Sequence, residues 1–167
     1  ALLARAFIFF AYPGQISGDR VWSFDAVSGA TPLLSISSNT SADNFSDALI
    51  NDSTGQVYSW IDMFLGFIPG SIGETSTFMV LIGAVFLILT GLISLRTISG
   101  VMVGMIVTSY LMNALGTSTG SLNLMLYVPW YYHLVMGGFA FGMIFMATEP
   151  VTSSHTNTGR IVYGILI

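Results

Sequence analysis

The sequence predicts an all-α polytopic membrane protein, a helical bundle carrying one long extramembrane loop, and three observations carry that prediction. Apolar residues fill 53% of the 167 positions and charged residues only 7%, against about a quarter charged in soluble domains. Mean hydropathy is +0.78. Three runs free of Asp, Glu, Lys and Arg, at 76–95, 98–115 and 128–148, approach or exceed the roughly 20 apolar residues that a bilayer crossing needs. A water-soluble fold is not expected.

Taken in order, residues 1–12 read as the last turns of a membrane helix. Arg5 lies amid apolar residues and no small-residue cleavage site follows, so a secretory signal is not expected here. Residues 160–167 read as the first turns of another helix, and the chain is expected to be a fragment of a longer protein. Between 13 and 75 lies the one long polar segment, with seven of the eight acidic residues: Asp19, Asp25, Asp43, Asp47, Asp52, Asp62 and Glu74. Its Ser-, Asn- and Asp-rich part, 33–52, is expected to be irregular coil. Residues 58–72 suggest a short helix, lying in the membrane interface or against neighbouring spans, that Pro69 and Gly70 break.

The spans follow. Gly100 with Gly104, and Gly138 with Gly142, stand in the small-xxx-small spacing that lets helices approach closely, and are read as packing. Gly137 and Gly138 would also admit a flat ring against the backbone. The span at 128–148 opens on Trp130, Tyr131 and Tyr132, an interfacial aromatic belt. Cytoplasmic loops attract Lys and Arg, so the turn at Arg96 is placed inside and the acidic loop outside. Arg160 agrees with this orientation and Arg20 opposes it.

Chemistry is sparse. With no cysteine, disulfides and thiolate-held iron–sulfur clusters are excluded from this stretch. His133 reads as a belt residue and His155 has no second ligand near it, so neither makes a metal site. Thr108 and Asn113 are polar groups in hydrocarbon that either line a cation path or bridge helices, and bridging is the favoured reading. Glu149, the eighth acid, ends the span at 128–148. It is either an interfacial helix-end residue or, with Thr148 and Thr152, a set of hard oxygen ligands for sodium. With a net charge of −4, no nucleic-acid partner is expected.

One motif stands out. Asp25 to Thr31 reads D-A-V-S-G-A-T, and its last four residues should arise by chance in fewer than about 1% of chains this long. Pro32 disfavours helix at Thr31, which favours an extended, uncluttered presentation of the hydroxyl. On residue types alone it is a Ser-Gly turn.

The motif resembles the flavinylation sequence D-x-x-[ST]-G-A-T. FFAYPGQISGD before it, SWIDMFLGFIPGSIGETS after it, and PWYYHLVMGGFAFGMIFMATEPV with GRIVYGILI further on resemble one membrane-protein family. It holds the B component of the sodium-translocating NADH:quinone reductase and the D component of the Rnf complex. The resemblance implies FMN held on Thr31 as a phosphoester. It implies a dedicated flavin transferase that reads Asp25, Ser28, Gly29 and Ala30. It further implies a noncovalent riboflavin, ubiquinone as substrate, sodium as the exported ion, and flavin and iron–sulfur partner subunits. The setting would be a bacterial inner membrane with Thr31 on the periplasmic side. In the family the position of Glu149 is usually Asp, one methylene shorter, in a motif associated with sodium. The Pro-Gly-Ser-Ile-Gly-Glu and Pro-Trp-Tyr-Tyr-His runs favour the quinone reductase over the Rnf type, which couples to ferredoxin and NAD. A transporter-like protein or a scaffold without redox role is the alternative from the residues alone.

Overall fold

A computed structural model describes residues 2–13, 21–22, 27–28, 31–38, 45, 49–50, 55, 57–68, 70, 75–120 and 123–167. The described elements are helical apart from one two-residue antiparallel ladder, β1 (Val21–Trp22) with β2 (Val27–Ser28), pairing Val21 with Ser28 and Trp22 with Val27. The helices are α1 (Leu2–Ala11), α2 (Pro32–Ser38), α3 (Trp60–Leu65), α4 (Thr77–Leu89) and α5 (Leu95–Thr119). A single 3-10 turn, Leu124–Tyr127, leads to α6 (Trp130–His133) and α7 (Phe139–Phe141), and α8 (Asn157–Leu166) closes the order.

Of the three predicted spans, 98–115 lies within one helix. α5 has 25 residues, roughly 37 Å at 1.5 Å per residue, and among the described residues it is the one helix long and apolar enough to cross a membrane. It ends where Gly120 adopts φ +58° and donates its N–H to the Gly116 carbonyl. Within the run at 76–95 the first helix stops at Leu89, where the Thr90 hydroxyl donates to the Leu87 carbonyl at 3.0 Å and Gly91 turns the chain with φ +72°, and Leu95 already opens α5. The 13 residues of α4 reach about 20 Å, short of the roughly 30 Å hydrocarbon core.

The run at 128–148 is divided. α6 stops at His133, and the Val135 and Met136 amides both bond back to the Tyr132 carbonyl at 3.0 and 2.8 Å. Gly137 then takes φ +69°, a left-handed conformation that costs a side-chain-bearing residue about 1–2 kcal/mol. The chain resumes as α7 and widens into a π turn over Gly142–Met146, closed by the Ala147 amide on the Gly142 carbonyl. Two carbonyls of the divided run find hydroxyl donors on the long helices: Leu134 accepts from Thr77 and Val128 from Ser109, both at 3.4 Å. Hydropathy reads this run as continuous because glycine barely interrupts an apolar average.

The division separates two cores. Val128, Val135 and Met136, before it, pack with Ile36, Leu49, Tyr58 and Met63 of the loop. Ala140, Met143, Ile144 and Ala147, after it, pack with Val80, Ala84 and Val101 of α4 and α5.

The loop departs from expectation in two places. Part of the stretch read as coil is α2: proline suits the first helical position, where no N–H is needed, and the Thr31 carbonyl accepts the Ser35 amide at 2.9 Å. The helix expected over 58–72 is α3 alone. The Ser59 hydroxyl caps its start, accepting from the Ile61 amide at 3.2 Å. Its end is Gly66, at φ +95° with its N–H on the Asp62 carbonyl, an αL stop that comes before Pro69 and Gly70. α3 buries Met63 while Ile61 and Leu65 stay exposed, and its Trp60 indole donates to the Tyr131 carbonyl at 3.3 Å.

α8 begins at Asn157, ahead of the expected 160–167, because the Thr156 hydroxyl accepts from the Gly159 amide at 3.1 Å. It crosses α5 with almost no gap. A Cβ on Gly100 would lie 2.6 Å from the Ile161 carbonyl oxygen, one on Gly104 2.6 Å from that of Ile165, and one on Gly164 2.5 Å from that of Thr97. The Gly100 and Gly104 spacing read as packing is a packing surface, with α8 as its partner, whereas a Cβ on Gly142 of the second pair would meet open space.

Candidate functional site

Thr31 is partly exposed at the start of α2. Because its carbonyl closes the first turn on the Ser35 amide, the residue is carried rigidly by the helix. Of the motif, Val27 and Ser28 are extended, in β2, and Thr31 itself stands just before the helix. Asp25, Gly29 and Ala30 lie outside the described residues, and Ser28 is described by its backbone alone.

α2 presents one packed face, where Pro32, Ser35 and Ile36 are buried, the i, i+3, i+4 spacing of a helical stripe. Ile36 is 2% exposed and joins the core that holds Val135 and Met136. Leu33, on the flank, has its Cδ2 3.7 Å from where a Cβ of Gly137 would stand.

Leu33 also belongs to the wall of a cavity of about 1360 Å³. Six of the nine methionines line it: Met105, Met112, Met125, Met136, Met143 and Met146. Gly137, Gly138 and Gly142 contribute bare backbone, and His133, Thr108, Ser109, Tyr163, Thr152 and Glu149 supply polar atoms. Thioethers on unbranched stems give an apolar, polarisable and adaptable lining. The volume exceeds the usual few hundred to 1,000 Å³ of small-molecule pockets, enough by volume for a flat multi-ring ligand.

Glu149 is exposed. Its backbone carbonyl is already taken by the Thr152 and Ser153 amides at 3.3 and 3.0 Å and by the Thr152 hydroxyl at 3.5 Å, so any ligation falls to the carboxylate. Thr152 shares the cavity wall with Glu149, whereas Thr148 is buried with its hydroxyl donating to the Ile144 carbonyl. Of the two threonines, only Thr152 shares the cavity wall with Glu149, and its hydroxyl donates to the Glu149 backbone carbonyl. Among the described residues no group of three His, Cys, Asp or Glu side chains assembles. His133 and Thr108 line the cavity, and His155 is exposed.

Sequence reasoning missed Leu33, Ile36 and the methionine lining. The seven-residue spacing of Met105 with Met112, and of Met136 with Met143, was the available signal for the lining. For Leu33 and Ile36 the proline at the head of α2 was the only one.

Over residues 1–167 the chain matches the model of the family described as NQR2, RnfD, RnfE. It is 56% identical over 168 residues to the B component of the Na(+)-translocating NADH-quinone reductase of Yersinia pestis, covering 100% of this chain and 39% of that protein. The proteins of the same name from Klebsiella pneumoniae (strain 342) and Neisseria meningitidis serogroup A are 54% and 51% identical, with the same coverage on both sides. The chain spans 39% of the length of these curated relatives. A family model matched from the first residue to the last, and relatives more than half identical across the whole chain, make this protein a member of the NQR2, RnfD, RnfE family.

Proposed function

We propose that this chain is the flavin-bearing part of a membrane subunit of a sodium-pumping NADH:ubiquinone oxidoreductase, with FMN on Thr31. The observation that carries the reading is local. Thr31 ends the D-A-V-S-G-A-T motif and heads a helix whose Leu33 helps wall a methionine-lined cavity shared with Glu149 and Thr152. The names printed for the relatives supply the reaction class.

In maturation, the Thr31 oxygen accepts the FMN phosphoryl group from FAD, losing its proton while AMP leaves. A separate flavin transferase runs this step and reads Asp25, Ser28, Gly29 and Ala30. Bound flavin supplies the electron-carrying chemistry that the side chains here lack. The chain's own contribution is placement: α2 carries Thr31, Gly137 and Gly138 leave room for a flat ring, and the methionines keep water sparse. Glu149, with the Thr152 hydroxyl beside it, offers hard oxygen to sodium as cargo. A noncovalent riboflavin and ubiquinone, together with flavin and iron–sulfur partner subunits, complete the electron path.

The setting is the bacterial inner membrane. α5 crosses it, α4 and the divided 128–148 run lie with it in a polytopic bundle, and the loop bearing Thr31 faces the periplasm.

The test is flavin on the mature full-length protein. Under ultraviolet light its band fluoresces after denaturing electrophoresis, and Thr31→Ala abolishes the signal. A mature wild-type protein whose Thr31 peptide carries no added FMN mass overturns the reading in favour of a transporter-like or scaffold role.

A further inference from the structure

We propose that Ile36 and Leu33 are positioning residues for the group on Thr31, seating α2 on the division of the 128–148 run; this rests on the reading that Thr31 carries flavin.

Thr31 closes the first turn of α2 through its own carbonyl, so wherever α2 is held, Thr31 is held. α2 has seven residues, too few to be stable by propensity in water, and its place is set by what its packed face meets. That face puts Ile36, 2% exposed, into one core with Val128, Val135 and Met136, and the last two directly precede the left-handed turn at Gly137. Leu33 reaches the turn itself, 3.7 Å from the Cβ position of Gly137.

The contact falls where the molecule is divided. Before Gly137 the run belongs to the core of the loop, and after Gly138 to the core of α4 and α5. The Leu134 carbonyl in this stretch is held by Thr77 of α4. α2 therefore docks on the turn that both cores share, and Leu33 continues from that turn into the cavity wall that includes Glu149. Ile36 sets the height of Thr31 against the turn, and Leu33 sets its direction towards the cavity. Neither needs to touch the flavin for its loss to misplace it.

The experiment uses the assembled complex with the full-length protein. In the first arm Leu33→Cys is paired with Met136→Cys and treated with a short bifunctional maleimide. Linkage within the chain, read by mass spectrometry, is expected, and its absence overturns the docking. In the second arm Ile36→Ala is expected to keep wild-type flavin content. Its flavin should be more readily quenched by iodide, and electron passage to quinone should fall roughly tenfold, as expected when a reacting group is displaced by a fraction of an ångström to an ångström. Ile36→Val is expected to restore most of both. Should Ile36→Ala fail to assemble, the more exposed Leu33→Ala gives the same two readouts with a smaller loss. Full flavin content with wild-type quenching and wild-type turnover in these variants overturns the proposal while leaving flavin on Thr31 intact. A wild-type protein without flavin on Thr31 is the separate failure, of the function reading, and the flavin assay identifies it directly.

Discussion

At the scale of single residues, Glu149 and Thr97 make opposite claims. The Glu149 carboxylate is exposed at the cavity wall while its carbonyl is saturated. Replacing it by Gln removes charge and little volume. Because ligand charge count tunes hard-cation affinity, Glu149→Gln is expected to raise the sodium concentration needed for half-maximal quinone reduction by roughly an order of magnitude. A sodium titration of turnover checks this, and an unchanged midpoint removes Glu149 from the ion path. Thr97 is 0% exposed, and its hydroxyl finds no hydrogen-bond partner among the described residues. A buried polar group left unpaired costs more than the apolar group of the same shape. Thr97→Val is therefore expected to stabilise the protein by about 1 kcal/mol, read as a higher midpoint of thermal unfolding in detergent. Thr31 and Glu149 both stand out in the sequence as candidates, one from a rare motif and the other as a lone acid after a long uncharged run. Ile36 and Leu33 were not, because in sequence they are ordinary apolar residues in a Ser-rich stretch.

At the scale of elements, the crossing of α5 and α8 shows how far local pattern reaches. Gly100 and Gly104 announce a close approach, but the partner that fills it, the backbone of Ile161, Gly164 and Ile165, is remote in sequence. Gly164→Ala would drive a methyl group to 2.5 Å from the Thr97 carbonyl oxygen, and backbone cannot yield as a flexible side chain does. The helices must part, at a cost of about 1–3 kcal/mol as for other overpacked sites. A lowered unfolding midpoint is expected for Gly164→Ala. No change is expected for Gly120→Asn, whose Cβ meets open space where φ +58° suits Asn. Element ends are the part that sequence conveys least. Periodicity and hydropathy describe interiors, whereas α3, α4 and α6 stop through a glycine turn, a threonine hydroxyl or paired amides on one carbonyl, none of which changes an apolar average.

At the scale of the whole molecule, the divided 128–148 run joins a loop core to a helix core, so α2 and α3 are packed onto that run rather than hung from it. The proposed orientation rests on charge and is open to direct test. Val57 and Leu92 are 60% and 67% exposed, on the loop and on the turn before Arg96. In intact cells a membrane-impermeant maleimide is expected to label Val57→Cys, and to reach Leu92→Cys only after permeabilisation. The reverse pattern inverts the topology. By itself the sequence determined the helical class, the family, the motif ending at Thr31 and the glycine spacing on α5, because each depends on composition or on residues close together along the chain. Only the tertiary structure decided that α8 fills that spacing, that the third apolar run is two pieces, and that α2 docks at the turn between them. Those outcomes depend on which distant backbone and side chains come to occupy the same space, and on hydrogen bonds that hydropathy does not count.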